Sequence, residues 1–390
     1  MGAQIYFDNS ATTPVDPRVA EGMSCFIREW YGNPSSMHKA GREVRSAVEE
    51  ARKQVAELLN ATPDEVIFTG SGTEADNFAL VGVFETIRNT PFHLITSQIE
   101  HPAILETCAY LEKRGAAVTY LDVDSDGLVS PERLKKALRP STRMVSVMTA
   151  NNVIGTIQPI QELARITHDH GALFHTDAVQ ALGKIPLSIL GAVDLLSVSA
   201  HKIYGPKGVG ALYIRKGLKL EPLLHGGGQE AGRRSATENV PGIVGFGMAA
   251  RLCLDNLAVE AAGLVQLREL LIEGVFQKIP NAYLIGHRYM RLPGHVSIGF
   301  AGQEGEAIKL LLALDEAGVA ISAGSACSSG HAGEPSYVLQ ALGFDPLKAR
   351  GGLRITLGRF NTQEEVEHFL DILPKVVAEM RPITSRNIAS

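Results

Sequence analysis

Between residues 64 and 215, short apolar runs rich in branched side chains alternate with longer stretches in which apolar positions recur at helical spacing. The runs at 66–69, 93–97, 118–123, 144–148, 172–176 and 193–198 read as buried strands of a mainly parallel sheet. Strands covered on both faces lose the in–out alternation that half-exposed strands show. Helices are expected from Glu74, after His101 and over 131–138. A long amphipathic helix at roughly 39–59, with acidic and basic residues at helical spacing, precedes them and presents a solvated face. A short strand is expected at 5–7. From about 241 a long helical region leads into a different pattern. It runs helix 258–278, strands 282–284 and 295–300, helix 304–317, a further helix past 334, strand 353–356 and helix 363–379. The fold class is therefore α/β: a large domain with a doubly wound, mainly parallel sheet (15–257), plus a smaller α+β domain from 1–14 and 258–390.

The chain has 390 residues, 45% hydrophobic and 20% charged, enough for two cores. A net charge of −5 with scattered basic residues offers neither a nucleic-acid nor a membrane surface. No uninterrupted run of 18 apolar residues and no secretory leader stand out, so a cytoplasmic location is expected. Cys25, Cys108, Cys253 and Cys327 are far apart, with no CxxC pair, which predicts neither a disulfide framework nor a metal site. The first three read as small buried hydrophobes. Cys327 lies in a loop, 321–334, of Gly, Ser and Ala that cannot pack a core, so it is either an incidental surface thiol or a reactive one.

The candidate chemistry sits where strands stop. One strand delivers Asp177 and then Gln180; another delivers Ser199, His201 and Lys202 before a Gly- and Pro-rich break. In open α/β sheets ligands bind beyond the carboxyl ends of strands. An acid and a lysine facing one crevice are either an ordinary ion pair or what pyridoxal phosphate requires. The lysine condenses with the aldehyde, and the carboxylate keeps the ring nitrogen protonated. The turn 70–73 followed by a helix is an anion site in outline, with Gly72 and Thr73 at its centre. It lacks the lysine of a P-loop, and the turn alone is common. His101 precedes a proline that opens a helix, and its pKa range suits proton transfer. Asn152, after the strand at 144–148, is turn chemistry or a ligand contact. Arg354 and Arg359 divide between gripping a carboxylate and making an ion pair.

HTDAVQALGKI with SAHKIYGPKGVGALYIR resembles the aspartate and lysine segments of the aminotransferase class V group, and specifically of NifS/IscS-type cysteine desulfurases. Other matching segments occur in family order: NSATTP, the 70–73 turn, EHPAIL, NNVIG, GGGQEAGRRSAT, SAC followed by EPSYVL, and RITLGRF. The resemblance implies a pyridoxal 5'-phosphate transferase of fold type I that converts L-cysteine to L-alanine and passes sulfur to Cys327 as a persulfide. By the same resemblance Lys202 holds the cofactor, Asp177 meets its ring nitrogen, and Gln180 and Asn152 its ring oxygen. Gly72, Thr73, Ser199 and His201 hold the phosphate, with Thr237 from the partner of a homodimer. His101 stacks on the ring and moves protons. Arg354, with Asn152, takes the substrate carboxylate. The implied sulfur acceptor is an IscU/NifU-type iron–sulfur scaffold, for which Cys327 would be at most a transient cluster ligand. Two departures stand out: Val153 replaces the family's Glu, and the Cys327 loop, with His331 and Gly333, is slightly longer than the common form. A selenocysteine lyase or another class V enzyme stays open on the same fold, as does a non-catalytic docking protein.

Overall fold

The computed structural model describes residues 4–187, 191–324 and 334–380. In chain order its elements are β1 (Ile5–Tyr6), α1 (Pro17–Arg28), α2 (Lys39–Leu59), β2 (Val66–Thr69), α3 (Gly72–Thr86), β3 (His93–Ser97), α4 (Pro102–Lys113), β4 (Ala117–Leu121), α5 (Pro131–Ala137), β5 (Thr142–Ser146), α6 (Ile160–His170), β6 (Leu173–Asp177), β7 (Leu195–Ser199) and β8 (Gly210–Ile214). There follow α7 (Val240–Lys278), β9 (Ala282–Leu284), β10 (His295–Phe300), α8 (Ala307–Glu316), β11 (Val319–Ala320), β12 (Ser322–Ala323), α9 (Tyr337–Ala341), β13 (Leu353–Thr356) and α10 (Gln363–Glu379).

Among the described residues, seven strands form the main sheet in the order β2-β8-β7-β6-β5-β3-β4. All run parallel except β8, which lies antiparallel between β2 and β7. Successive strand residues enter opposite cores. Phe68, Ile95, Val145, Phe174 and Leu196 join α2, α6 and the start of α7 on one face. Their neighbours Ile67, Leu94, Met144 and Leu195 join α3 and α4 on the other. Both faces are buried, which is why the strands read as continuous apolar runs.

A four-stranded sheet, β12-β13-β10-β9, is antiparallel and packs on a third core. That core joins Phe7 to residues between Leu271 and Val377, so both chain ends build it. The strand β1 pairs in parallel with β11, a partnership no local pattern announces.

Two differences from the sequence reading matter. The helices expected separately from 241 and 258 are one 39-residue helix, α7, so the boundary expected at 257 falls inside it. Its first half packs in the large core through Val240–Cys253, its last turns in the small one through Leu271, Ile272 and Val275. By length and composition alone α7 could cross a membrane, yet half of its most apolar stretch is buried against the rest of the fold. Also, α3 starts earlier than expected, at Gly72, because the Ser71 hydroxyl accepts from Glu74 N and caps the helix at once.

Candidate active site

A cavity of about 550 Å³ opens at the carboxyl ends of the main-sheet strands. The strand β6 ends at Asp177 and β7 at Ser199, paired neighbours in the sheet, and the turn after β7 brings His201 and Lys202 to the same rim. The small antiparallel sheet closes the opposite side with Ser322 and Arg354, which face each other in register. Of the residues expected from the sequence, Gly72, Thr73, His101, Asn152, Asp177, Gln180, Ser199, His201, Lys202 and Arg354 all line this one cavity. The polar turn after β1 contributes Asp8, Ser10 and Ala11.

At one end of the cavity the first turn of α3 leaves unpaired N–H groups and a positive dipole end, beside Ser199 and His201. A side chain at position 72 has no room: a Cβ there would stand 2.8 Å from Val179 Cγ2 and 3.4 Å from Ser199 Cβ. His201 Nδ1 lies 3.1 Å from Thr12 Oγ1, and burial, then the charge of Lys202, holds its pKa down to about 4. His201 therefore works as a neutral ring at neutral pH.

Lys202 Nζ donates to the carbonyls of Ser10 and Ala11, each at 2.6 Å. Gln180 Nε2 donates to the same Ser10 carbonyl at 3.0 Å, while Lys184 Nζ donates to Gln180 Oε1 at 3.1 Å. The lysine so takes up the amide oxygen and leaves an N–H as what Gln180 can offer a ligand. Asp177 is buried and accepts from Val179 N at 2.8 Å. Burial raises its pKa, while His101 and Lys202 pull the other way.

His101 is the N-cap of α4, its Nδ1 accepting from Ala103 N at 3.1 Å. Nδ1 is then bare and the neutral ring carries its proton on Nε2. Asn152 is buried, and its Oδ1 has no hydrogen-bond partner among the described residues. Arg354, 1% exposed, donates from Nη1 to the Asn152 carbonyl at 3.1 Å and from Nη2 to Asp8 Oδ1 at 2.8 Å. Its fork is thereby aimed before any ligand arrives. Arg359, the alternative carboxylate binder, does not line the cavity. It is paired with Asp16 at 2.9 Å and Glu260 at 2.8 Å, and stacks 4.3 Å from the Tyr204 ring centre.

Thr237 also lies apart, lining a separate hollow with Phe68, Arg234 and Asn239. Cys327, with most of its loop, lies outside the described residues. The described flanks are tied to the chain around β13: Gly324 N donates to Gly352 O at 2.9 Å, and Ser336 N to Ala349 O at 3.1 Å. Cys108 and Cys253 are buried, as expected, and Cys25 is half-buried with its Sγ on the Gly22 carbonyl. Sequence reasoning passed over Asp76, a cavity-lining acid at the polar start of α3, where Glu74 and Asn77 beside it left no signal that singled it out.

The class-V aminotransferase family profile matches residues 5–369. A cysteine desulfurase IscS from Dictyoglomus turgidum is 50% identical over 98% of this chain and 97% of its own length. Another from Methanosarcina thermophila is 48% identical over 98% and 95%. Among solved structures, a NifS-like protein superposes with a TM-score of 0.90 at 42% identity, covering 97% of this chain and all of that one. A structure of SspA in complex with cysteine superposes at 0.81 with 34% identity, covering 92% of this chain and all of that one. The chain belongs to the class-V aminotransferase family and, within it, to the cysteine desulfurases of the IscS/NifS kind.

Proposed function

We propose that this enzyme holds pyridoxal 5'-phosphate on Lys202 and moves the sulfur of L-cysteine to Cys327, releasing L-alanine. The observation that carries this reading is the cavity itself. An anion-binding helix start, an amine and a buried acid line this one cavity, the three kinds of group that the phosphate, the aldehyde and the ring nitrogen of the cofactor call for. The residues fit that group: position 72 is stripped of a side chain where a phosphate needs main-chain N–H groups, and Asn152 Oδ1 waits for a donor. When bound, the cofactor supplies an electron sink for the carbon next to the substrate amine.

The chain's own groups do the rest. Gly72, Thr73, Ser199 and His201 hold the phosphate, and Asp177 holds the ring nitrogen protonated. Gln180 and Asn152 meet the ring oxygen, and His101 presents its Nε2 proton at the cavity. Arg354, preset by Asp8, takes the substrate carboxylate together with Asn152. The Cys327 thiolate attacks the substrate sulfur: the carbon–sulfur bond breaks, a sulfur–sulfur bond forms, and the carbon takes up a proton to become alanine. The persulfide then passes to an acceptor, an iron–sulfur scaffold of the IscU/NifU type, in the cytoplasm. Thr237 sits on an exposed loop outside its own cavity, which favours a homodimer whose partner receives it. The division into 15–257 against 1–14 with 258–390 belongs to the same reading, supported by a small core drawn from both chain ends.

The test is an absorbance spectrum of the purified protein, followed by L-cysteine with a thiol reductant and assays of sulfide and alanine. Visible absorbance with both products in equal yield is the expected result. Absorbance without sulfide points to another class V reaction, and no absorbance after adding pyridoxal phosphate removes the cofactor from Lys202.

A further inference from the structure

Asp76 lines the same cavity and takes no part in that chemistry. It stands in the second turn of α3, 2% exposed, and its Oδ1 has no hydrogen-bond partner among the described residues. An orphaned buried carboxyl oxygen is costly, so its retention calls for an explanation.

Its surroundings come from three directions. From β6 come His175 and Asp177, two residues apart and so on one face of the strand. From β7 comes Ser197, the register partner of Asp177. From the turn after β3 comes Glu100. His175 Nε2 stands 3.7 Å from Asp76 Oδ1 and 3.0 Å from Ser197 Oγ, and its Nδ1 is 2.8 Å from Ser146 Oγ. All three network residues are fully buried.

No cation is among these groups. His175 is neutral, its pKa held down to about 3 by burial. Asp177 differs, since His101 and Lys202 favour its ionised form. Two neighbouring buried carboxyls without a shared cation do not both ionise. The charge goes to the one with positive neighbours, and the proton to the other. Burial and the charge of Asp177 push Asp76 well above the ordinary range, with a hydrogen bond from Ser197 acting the other way.

We propose that Asp76 lines the cavity as a carboxylic acid, a positioning residue that leaves Asp177 as the single anion for the ring nitrogen and offers its hydroxyl as a donor in the cavity wall. This rests on the cofactor assignment to Lys202 and Asp177. It adds a proton-bearing partner to the acid that meets the ring.

Full-length wild type, Asp76→Asn, Asp76→Leu and Asp177→Asn are compared by infrared difference spectroscopy and by pyridoxal phosphate titration of the cofactor-stripped protein. Of the carboxylic-acid C=O absorption near neutral pH, to which Glu100 also contributes, the component of Asp76 is expected to be lost in Asp76→Asn, which still donates and stays uncharged. That variant is expected to bind the cofactor within about threefold of wild type, whereas Asp76→Leu, lacking a donor, loses roughly tenfold, the scale of one hydrogen bond. Asp76→Asn binding as poorly as Asp177→Asn, or a carboxylate band in place of the acid band, overturns the proposal, because Asp76 is then an anion. Asp76→Leu binding like wild type overturns it too. If no variant and not even wild type binds the cofactor, the cofactor assignment fails, while the infrared band still reports where the proton sits.

Discussion

The Tyr337 hydroxyl donates to the main-chain carbonyl of Glu100 at 2.6 Å. Glu100 immediately precedes His101, and Tyr337 opens α9, the first helix among the described residues after Cys327 in the chain. One hydrogen bond thus ties the chain that follows Cys327 to the turn that presents the cavity histidine. Tyr337→Phe is expected to cost about 1 kcal/mol of stability. It should slow sulfide release on the order of threefold while leaving pyridoxal phosphate affinity unchanged. An equal loss in cofactor affinity would place the bond in the cavity wall rather than in the chain that follows Cys327.

Arg354 is aimed by Asp8 and by the Asn152 carbonyl. A lysine cannot reproduce a forked contact to a carboxylate. Arg354→Lys should raise the KM for L-cysteine by roughly tenfold or more with a smaller change in kcat. Asp8→Asn keeps the shape and loses the charge, so a milder KM increase is expected. Steady-state kinetics on both variants decide it; a kcat loss with KM unchanged contradicts the assignment.

At Gly72 the obstruction is Val179, a short branched side chain with little freedom to retreat. Gly72→Ala should cost about 1–3 kcal/mol by overpacking. Cofactor affinity should fall with it, since the helix start is displaced from the anion it faces. Thermal melts with and without pyridoxal phosphate separate the two effects. A variant with native stability and affinity would mean that the phosphate sits elsewhere.

Glu100 is fully buried, with Ser97 Oγ donating to it at 2.5 Å and Met148 N reaching both its oxygens at 3.0–3.1 Å. Those donors lower its pKa, but burial outweighs them and raises it from 4.5 to about 8. Between these values the folded protein keeps a proton that the unfolded chain releases. The stability it contributes is therefore complete below the unfolded value and is lost as pH rises toward the folded one. The slope approaches about 1.4 kcal/mol per pH unit. Glu100→Gln, which can donate to Ser97 and accept from Met148, should remove that slope. Urea midpoints for both proteins across this range are the measurement, and parallel curves would show that Glu100 is ionised throughout.

Cys327→Ser should keep the visible absorbance of the bound cofactor and lose sulfide production. Sulfide formation at the wild-type rate would move the sulfur acceptor to another group.

Six of the seven main-sheet strands were legible, and most of these because both of their faces are buried, so their apolar runs stand out from the helical periodicity around them; β8 was not among the runs read. The residues at their ends were legible for the same reason: the runs stop abruptly at Asp177 and Ser199. What stayed hidden depends on partners distant in sequence. The pairing of β1 with β11 sets Ile5 against Val319 through two-residue strands with no pattern of their own. The reversal of β8 within an otherwise parallel sheet is decided by its neighbours β2 and β7. Of the two candidate arginines, only tertiary contacts show that Arg359 is occupied by Asp16 and Glu260. Asp76 was missed because it stands among Thr73, Glu74 and Asn77 at the start of α3, and nothing in their spacing marks which of them is buried.

Because α7 runs unbroken from the large core into the small one, the crossing it makes between them is a continuous helix rather than a pliable joint. At 1.5 Å per residue it is a strut of roughly 60 Å, and both Lys202 and Arg354 hang from cores bolted to it. Cutting the gene at residue 257 to make two fragments would sever the strut rather than a tether, leaving each piece with a frayed stump where it needs a finished face. Swapping the carboxyl-terminal part for that of a relative would demand that the helical phase across the junction be kept. One inserted residue would rotate the arginine-bearing sheet by about 100° about the helix axis, turning Arg354 away from Lys202.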